Sequence, residues 1–141
     1  MKRLHGQCHC GAMRVAIEGV EATELPLRAC QCGFCRRHGA VWTSHPQAEV
    51  TFIGAQLHNY RFGHRQSDYM FCTECGCCVG AAVEIDGARY AIVNVTGVDL
   101  PGFEGRTPEP MVFDDETPET RATRRKARWS PADLTELQPS A

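Results

Sequence analysis

The sequence predicts a small, mainly antiparallel β domain, and three observations carry that expectation. Short apolar segments recur between turn residues over the first hundred positions, with little helical periodicity. The pair Asp86-Gly87 lies between two apolar runs, as a tight hairpin turn requires. Cysteines are grouped beside glycines, a pattern that joins distant strands rather than one that builds helices. A chain of 141 residues is long enough to bury about two-thirds of its unfolded surface in a single core.

Taken in order, residues 13–18 alternate and stop at Gly19, as a half-buried strand would. Further strands are expected over 25–30, 40–44, 49–53 and 57–62, punctuated by Gly54 and Gly63. The Asp86-Gly87 turn should join strands over 78–85 and 89–95. The chain changes character near residue 100. This divides it into a domain over 1–100 and an extension over 101–141 that packs on the core or is partly flexible. Pro101, Pro108, Pro110 and Pro118 break up the extension. Ser130-Pro131-Ala132-Asp133 reads as the capped start of a short C-terminal helix that Pro139 ends. The basic run 121–128 follows acidic Asp114-Asp115-Glu116 and reads as a solvated face.

Charge excludes some functions. A formal net charge of -2, with 23% charged residues, offers no global field for nucleic acid or an anionic membrane. The first residues are basic but lack the apolar stretch of a signal peptide, and no run is long enough to span a bilayer. A cytoplasmic protein is expected. Neither nucleic acid nor membrane is an expected partner, and self-association is compatible with the sequence.

A reducing compartment keeps thiols free, so clustered cysteines there point to metal. Seven of the nine cysteines fall into three groups: Cys8 and Cys10; Cys30, Cys32 and Cys35; Cys72 and Cys75. The first and third groups supply four thiolates, which close a tetrahedron around zinc. Gly6, Gly11 and Gly76 let the backbone bend toward the ion. Such a site staples chain segments about sixty residues apart and is structural.

The middle group has three thiolates within six residues. Either a protein side chain completes it (His38, His9, Cys77 or Cys78), or it keeps the open position of a catalytic zinc. Three thiolates leave a zinc site with a charge of about -1, which weakens its hold on water chemistry and suits capture of a thiol. Two functions follow: an enzyme acting on a thiol adduct, or a non-catalytic zinc module that binds a protein or nucleic acid. Arg36-Arg37-His38 follows the three-cysteine group, and the arginines are candidates for binding substrate carboxylates. Trp42 and Phe34 are candidate pocket walls, although aromatic residues of a β domain more often serve the core. Trp129 is expected to anchor the C-terminal arm. Cys77 and Cys78 are expected to be buried small residues.

Three segments together resemble the glutathione-dependent formaldehyde-activating enzyme family, also known through centromere protein V. They are Gly6-Gln7-Cys8-His9-Cys10-Gly11, the run from Cys30 through Cys35-Arg36 to Gly39-Ala40, and Phe71-Cys72 to Cys75-Gly76. The resemblance covers roughly residues 4–98. It implies an Mss4-like fold of twisted antiparallel sheets and two zinc ions per chain. Cys8, Cys10, Cys72 and Cys75 would hold a structural zinc; Cys30, Cys32 and Cys35 would hold a labile catalytic one, whose fourth ligand is the sulfur of glutathione. The implied activity is carbon–sulfur lyase or synthase chemistry between glutathione, formaldehyde and S-hydroxymethylglutathione. The sequence departs from the family pattern after the last glycine strand: residues 110–115 replace a histidine-aromatic segment, and no histidine follows His64.

Overall fold

A computed structural model describes residues 3–139. Ten strands form one sheet: β1 (Arg3–Gln7), β2 (Met13–Glu18), β3 (Arg28–Cys30), β4 (Trp42–Thr43), β5 (Glu49–Tyr60), β6 (Ser67–Cys72), β7 (Cys78–Ile85), β8 (Ala88–Asn94), β9 (Glu109–Met111) and β10 (Ser130–Pro139). The strand order is β1-β2-β5-β6-β7-β8-β4-β3-β9. β10 pairs in parallel with β5 and antiparallel with β8, closing β5 to β8 into a small barrel. Among the described residues, three α-helices accompany the sheet: α1 (Gly33–His38), α2 (Val95–Val98) and α3 (Pro118–Arg128). The fold is mainly β, as the alternation in the sequence indicates.

The pleat explains the main core. Met13, Val15 and Ile17 of β2 point inward beside Val50 and Phe52 of β5, while Arg14 faces out. The hairpin between β7 and β8 turns at Asp86 and Gly87 with φ values of 52° and 80°. Positive φ at both positions is the twist-matched two-residue turn that Asp-Gly favours. A second core holds Cys35, Trp42, Tyr69, Ala81, Ile92 and Trp129. The two cores share the sheet, and each carries one group of cysteines.

Three expectations need correction. Residues 49–53 and 57–62 are not separate strands: β5 runs unbroken through Gly54 to Tyr60. It pairs with β2 up to Gly54 and with β6 from Leu57 onward, so the strand changes partner at the glycine. A Cβ at Gly54 would lie 2.6 Å from the Ala12 carbonyl oxygen, and its φ of +155° also excludes other residues. The expected strand over 25–30 shrinks to three residues, and β6 had no expectation at all.

The C-terminal helix lies upstream of its expected place. Thr117 caps α3 through Thr120 and Pro118 sits in its first turn, where a missing N–H costs nothing. Residues 130–139 form β10 instead. The Ser130 hydroxyl is fully buried and clamps His45, accepting from its N–H and donating to its carbonyl, both at 2.9 Å. A serine engaged in that tertiary contact is not free to cap a helix.

Candidate functional site

The four-cysteine cluster joins the loop after β1 to the loop after β6. Cys8 Sγ and Cys10 Sγ lie 3.7 Å apart, Cys10 Sγ and Cys72 Sγ 3.6 Å apart, and all four sulfurs with Cys75 fall within 4.8 Å of one another. Sulfurs about 2.3 Å from a shared zinc ion sit about 3.8 Å apart, so this donor set fits a tetrahedral zinc. Gly11 and Gly76 take φ values of 83° and 78°, and their N–H groups bond back to Cys8 and Cys72 carbonyls. Met13 N–H donates to Cys8 Sγ at 3.3 Å, which stabilises a thiolate. At Cys75, burial raises the pKa, but N–H groups of Cys77 and Cys10 and the Cys8 thiol outweigh it and bring it to about 6.

The three-cysteine cluster is built by the end of β3 and the start of α1. Cys32 caps α1, its Sγ accepting from Cys35 N–H at 3.3 Å. Cys30 lies at the end of β3, held in register with Met111 of β9. Hydrogen bonds from Cys30 and Cys35 push the Cys32 thiol down to about 2, while the Cys32 contact raises Cys30 and the Cys30 and Cys32 contacts raise Cys35. One thiolate held by two thiols is what the cluster can sustain without a cation; three thiolates need a positive ion among them. The donor set fits zinc here too.

None of the four candidate closing ligands reaches it. Among the described residues, no fourth histidine, cysteine or carboxylate joins Cys30, Cys32 and Cys35 within 4.8 Å. The His38 ring packs on Phe34 at 4.5 Å and Phe71 at 5.4 Å. His9 is exposed, Cys77 lies against Cys75, and Cys78 is buried with its thiol toward the Gly80 carbonyl. Cys78 is the buried small residue the sequence suggests, while Cys77 is half-buried at the edge of the four-cysteine cluster.

The three cysteines instead face a cavity of about 80 Å³. Trp42, Phe62, Tyr69 and Trp129 form its apolar walls, and Arg28, Arg121, Arg124 and Arg125 also line it. Trp42 therefore serves core and pocket together, and Trp129 does more than anchor the arm. Phe34 belongs to the neighbouring aromatic stack with Phe62 and Tyr69. Burial holds the Tyr69 phenol well above its ordinary pKa, so the group stays a donor at neutral pH.

Arg36 and Arg37 point elsewhere. Both are exposed and bond to the Gln31 and Gly33 carbonyls of their own turn, outside the cavity lining. The basic run 121–128 is not simply a solvated face: Arg121 and Arg124 are partly buried and Arg125 is 5% exposed. The missed signal was spacing. Positions 121, 124 and 125 share one side of a helix, and only a helix makes them neighbours.

A sequence profile of the family described as glutathione-dependent formaldehyde-activating enzyme matches residues 3–113. The chain belongs to this family. The match extends past residue 98 to include β9, while α3 and β10 lie beyond it. The chain is also similar to a crystal structure of a Rhodobacter sphaeroides protein at 29% identity and a TM-score of 0.53. That similarity covers 77% of this chain and 99% of the other. No curated protein matches the sequence. Among the described residues, no helix is long and apolar enough to cross a membrane.

Proposed function

We propose that this protein is a zinc-dependent carbon–sulfur lyase or synthase acting on a glutathione adduct, such as S-hydroxymethylglutathione. One observation carries the reading: three thiols converge on a lined cavity, and no fourth protein ligand stands among them within the described residues. Family membership supplies the substrate class. Cys8, Cys10, Cys72 and Cys75 would hold a structural zinc, and Cys30, Cys32 and Cys35 a catalytic one. Zinc in the second site supplies a Lewis acid that keeps an entering thiol ionised at neutral pH.

The chain's own groups then have distinct tasks. The walls of Trp42, Phe62 and Trp129 limit water beside the adduct, where it competes for the aldehyde by hydration. In the synthase direction, the sulfur lone pair forms a bond to the aldehyde carbon. The carbonyl π pair moves to oxygen, which takes up from solvent the proton that the thiol released on ionising. Tyr69 O–H is the cavity group suited to donate a hydrogen bond to that oxygen. In the lyase direction the same bond breaks, the proton leaves the hydroxyl, and the pair returns to sulfur. Arg36 and Arg37 can meet only parts of the tripeptide that project beyond the cavity.

The test is zinc stoichiometry under anaerobic reducing conditions, with X-ray absorption counting sulfurs per metal. Two zinc ions per chain, with sulfur coordination rising when glutathione is added, is the expected result. Coordination already complete and indifferent to glutathione would replace the enzyme with a binding module.

A further inference from the structure

We infer that the cavity beside Cys30, Cys32 and Cys35 contains a carboxylate site built by α3, with Arg125 as its main donor. The molecule processed there would then carry a carboxylate only a few bonds from its reacting sulfur. This rests on the reading that a thiol enters the three-cysteine cluster, and it names which thiol adducts fit.

Arg125 is the reason. Arg125 is 5% exposed and lines the cavity, its guanidinium stacked 4.7 Å from the centre of the Trp129 ring. Nη1 donates to the Ser67 hydroxyl at 2.8 Å, while Nε–H, like the Gln66 Oε1 acceptor, is closed off and without a partner. No carboxylate among the described residues pairs with Arg125. The nearby acid, Glu116, is already saturated: Arg121 bonds one oxygen at 3.0 Å, and Arg124 bonds both at 2.6 and 2.9 Å. Asp114 lies exposed at the rim. Burial lowers the pKa of Arg125 only to about 10, so it remains charged.

A buried cation with no carboxylate beside it is costly unless a ligand supplies the opposite charge. The guanidinium fork matches a carboxylate in charge and in geometry. Arg28, bonded to Ser44 through its hydroxyl and carbonyl, adds a second positive group facing the same space. The cavity has room for roughly half a dozen water-sized groups, so sulfur and carboxylate sharing it must be close in the ligand.

The test is calorimetric titration of zinc-loaded, full-length protein with 3-mercaptopropionate and with 2-mercaptoethanol. Wild type should bind the carboxylated thiol about tenfold more tightly, and Arg125→Gln should erase that preference while leaving 2-mercaptoethanol binding unchanged. Equal affinity for both thiols in wild type, or a preference that survives in Arg125→Gln, overturns the inference. If Arg125→Gln does not fold, Arg125→Lys, which keeps the charge but loses the fork, should reduce the preference at least about threefold; full retention overturns it. If neither thiol binds either protein, the enzyme reading fails, and the carboxylate site is judged by propionate alone. Propionate that raises the melting temperature of wild type but not of the variant supports the site, and no difference overturns it. Glutathione esterified at glycine separates the two sources of the carboxylate. Weakened binding of the ester assigns it to the thiol; unchanged binding, with Arg125-dependent preference for the glyoxylate adduct over the formaldehyde adduct, assigns it to the electrophile.

Discussion

The two cysteine clusters use the same ligand chemistry in different surroundings. The four-cysteine cluster draws from two loops far apart in sequence and packs into the main core through Cys8 and Cys72. The three-cysteine cluster is local, spanning the end of β3 and one turn of α1, and opens onto a cavity in the second core. A ligand set that ties distant segments together stabilises the fold, because without it both segments lose their tether. A ligand set within one turn constrains little beyond that turn. Sequence separation, more than ligand count, decides which cluster the fold depends on.

The largest effect should therefore come from Cys75→Ser, which removes one ligand of the tether. A structural zinc contributes about 10–16 kcal/mol, and losing a ligand should cost at least ~3–5 kcal/mol, or about 10–20 °C in melting temperature. Cys32→Ser should cost no more than about 2 kcal/mol, the order of a helix cap, yet abolish thiol binding. Thermal unfolding of both variants beside glutathione titration decides it. Equal losses of stability would break the division between a structural and a functional cluster.

Chelation should show the same asymmetry without mutation. With a limiting chelator, one zinc should leave while far-ultraviolet circular dichroism is unchanged, and glutathione binding should vanish with that first ion. Loss of both ions together, with unfolding, would make the clusters equivalent.

Most of this comparison was legible in the sequence because metal ligands are encoded by residue type and short spacing. Cys8-x-Cys10 and Cys72-x-x-Cys75, each beside a glycine that now shows positive φ, announce their bends directly. The hairpin at Asp86-Gly87 is equally local. The cavity's cationic wall was hidden for the opposite reason. Arg125 matters only because α3 folds over the second core, and that helix begins at a proline that reads as a breaker in isolation. Ser130-Pro131 imitates a helix start as well as Thr117-Pro118 does. Only the partner at His45, 85 positions away, distinguishes them. Local chemistry could be read directly, whereas competition between local signals was settled by tertiary contacts.

That competition yields a mid-sized prediction. Ser130→Ala leaves the His45 N–H without its partner and the His45 carbonyl with the Ala48 N–H alone, costing about 1–3 kcal/mol. Because β10 bridges β5 and β8, hydrogen exchange should accelerate along β10 while amides near Cys8 and Cys72 stay protected. Uniform acceleration across both clusters would show that the barrel closure and the zinc tether act as a single unit.

The smallest effect belongs to Glu116, which decides how much of the arginine wall is free to act. Its carboxylate is partly buried, which raises its pKa, but hydrogen bonds from Arg124 and Arg121 prevail and hold it below the ordinary carboxylate range. A depressed folded pKa means that the stabilisation is present above the unfolded value. It is lost as pH falls through the folded value. Glu116→Gln should accordingly lower stability by about 1 kcal/mol near neutral pH, and the difference should shrink as pH falls below the ordinary glutamate value of about 4.3 and vanish below the depressed folded value. Denaturant titrations at several pH values measure this. The same substitution removes a negative charge beside the cavity, so carboxylated thiols should bind about two- to threefold more tightly. Weaker folding with tighter binding is the joint outcome expected if Arg121 and Arg124 face the ligand. Weaker folding with unchanged binding would confine these two arginines to holding α3 and leave Arg125 and Arg28 as the charges that the ligand meets.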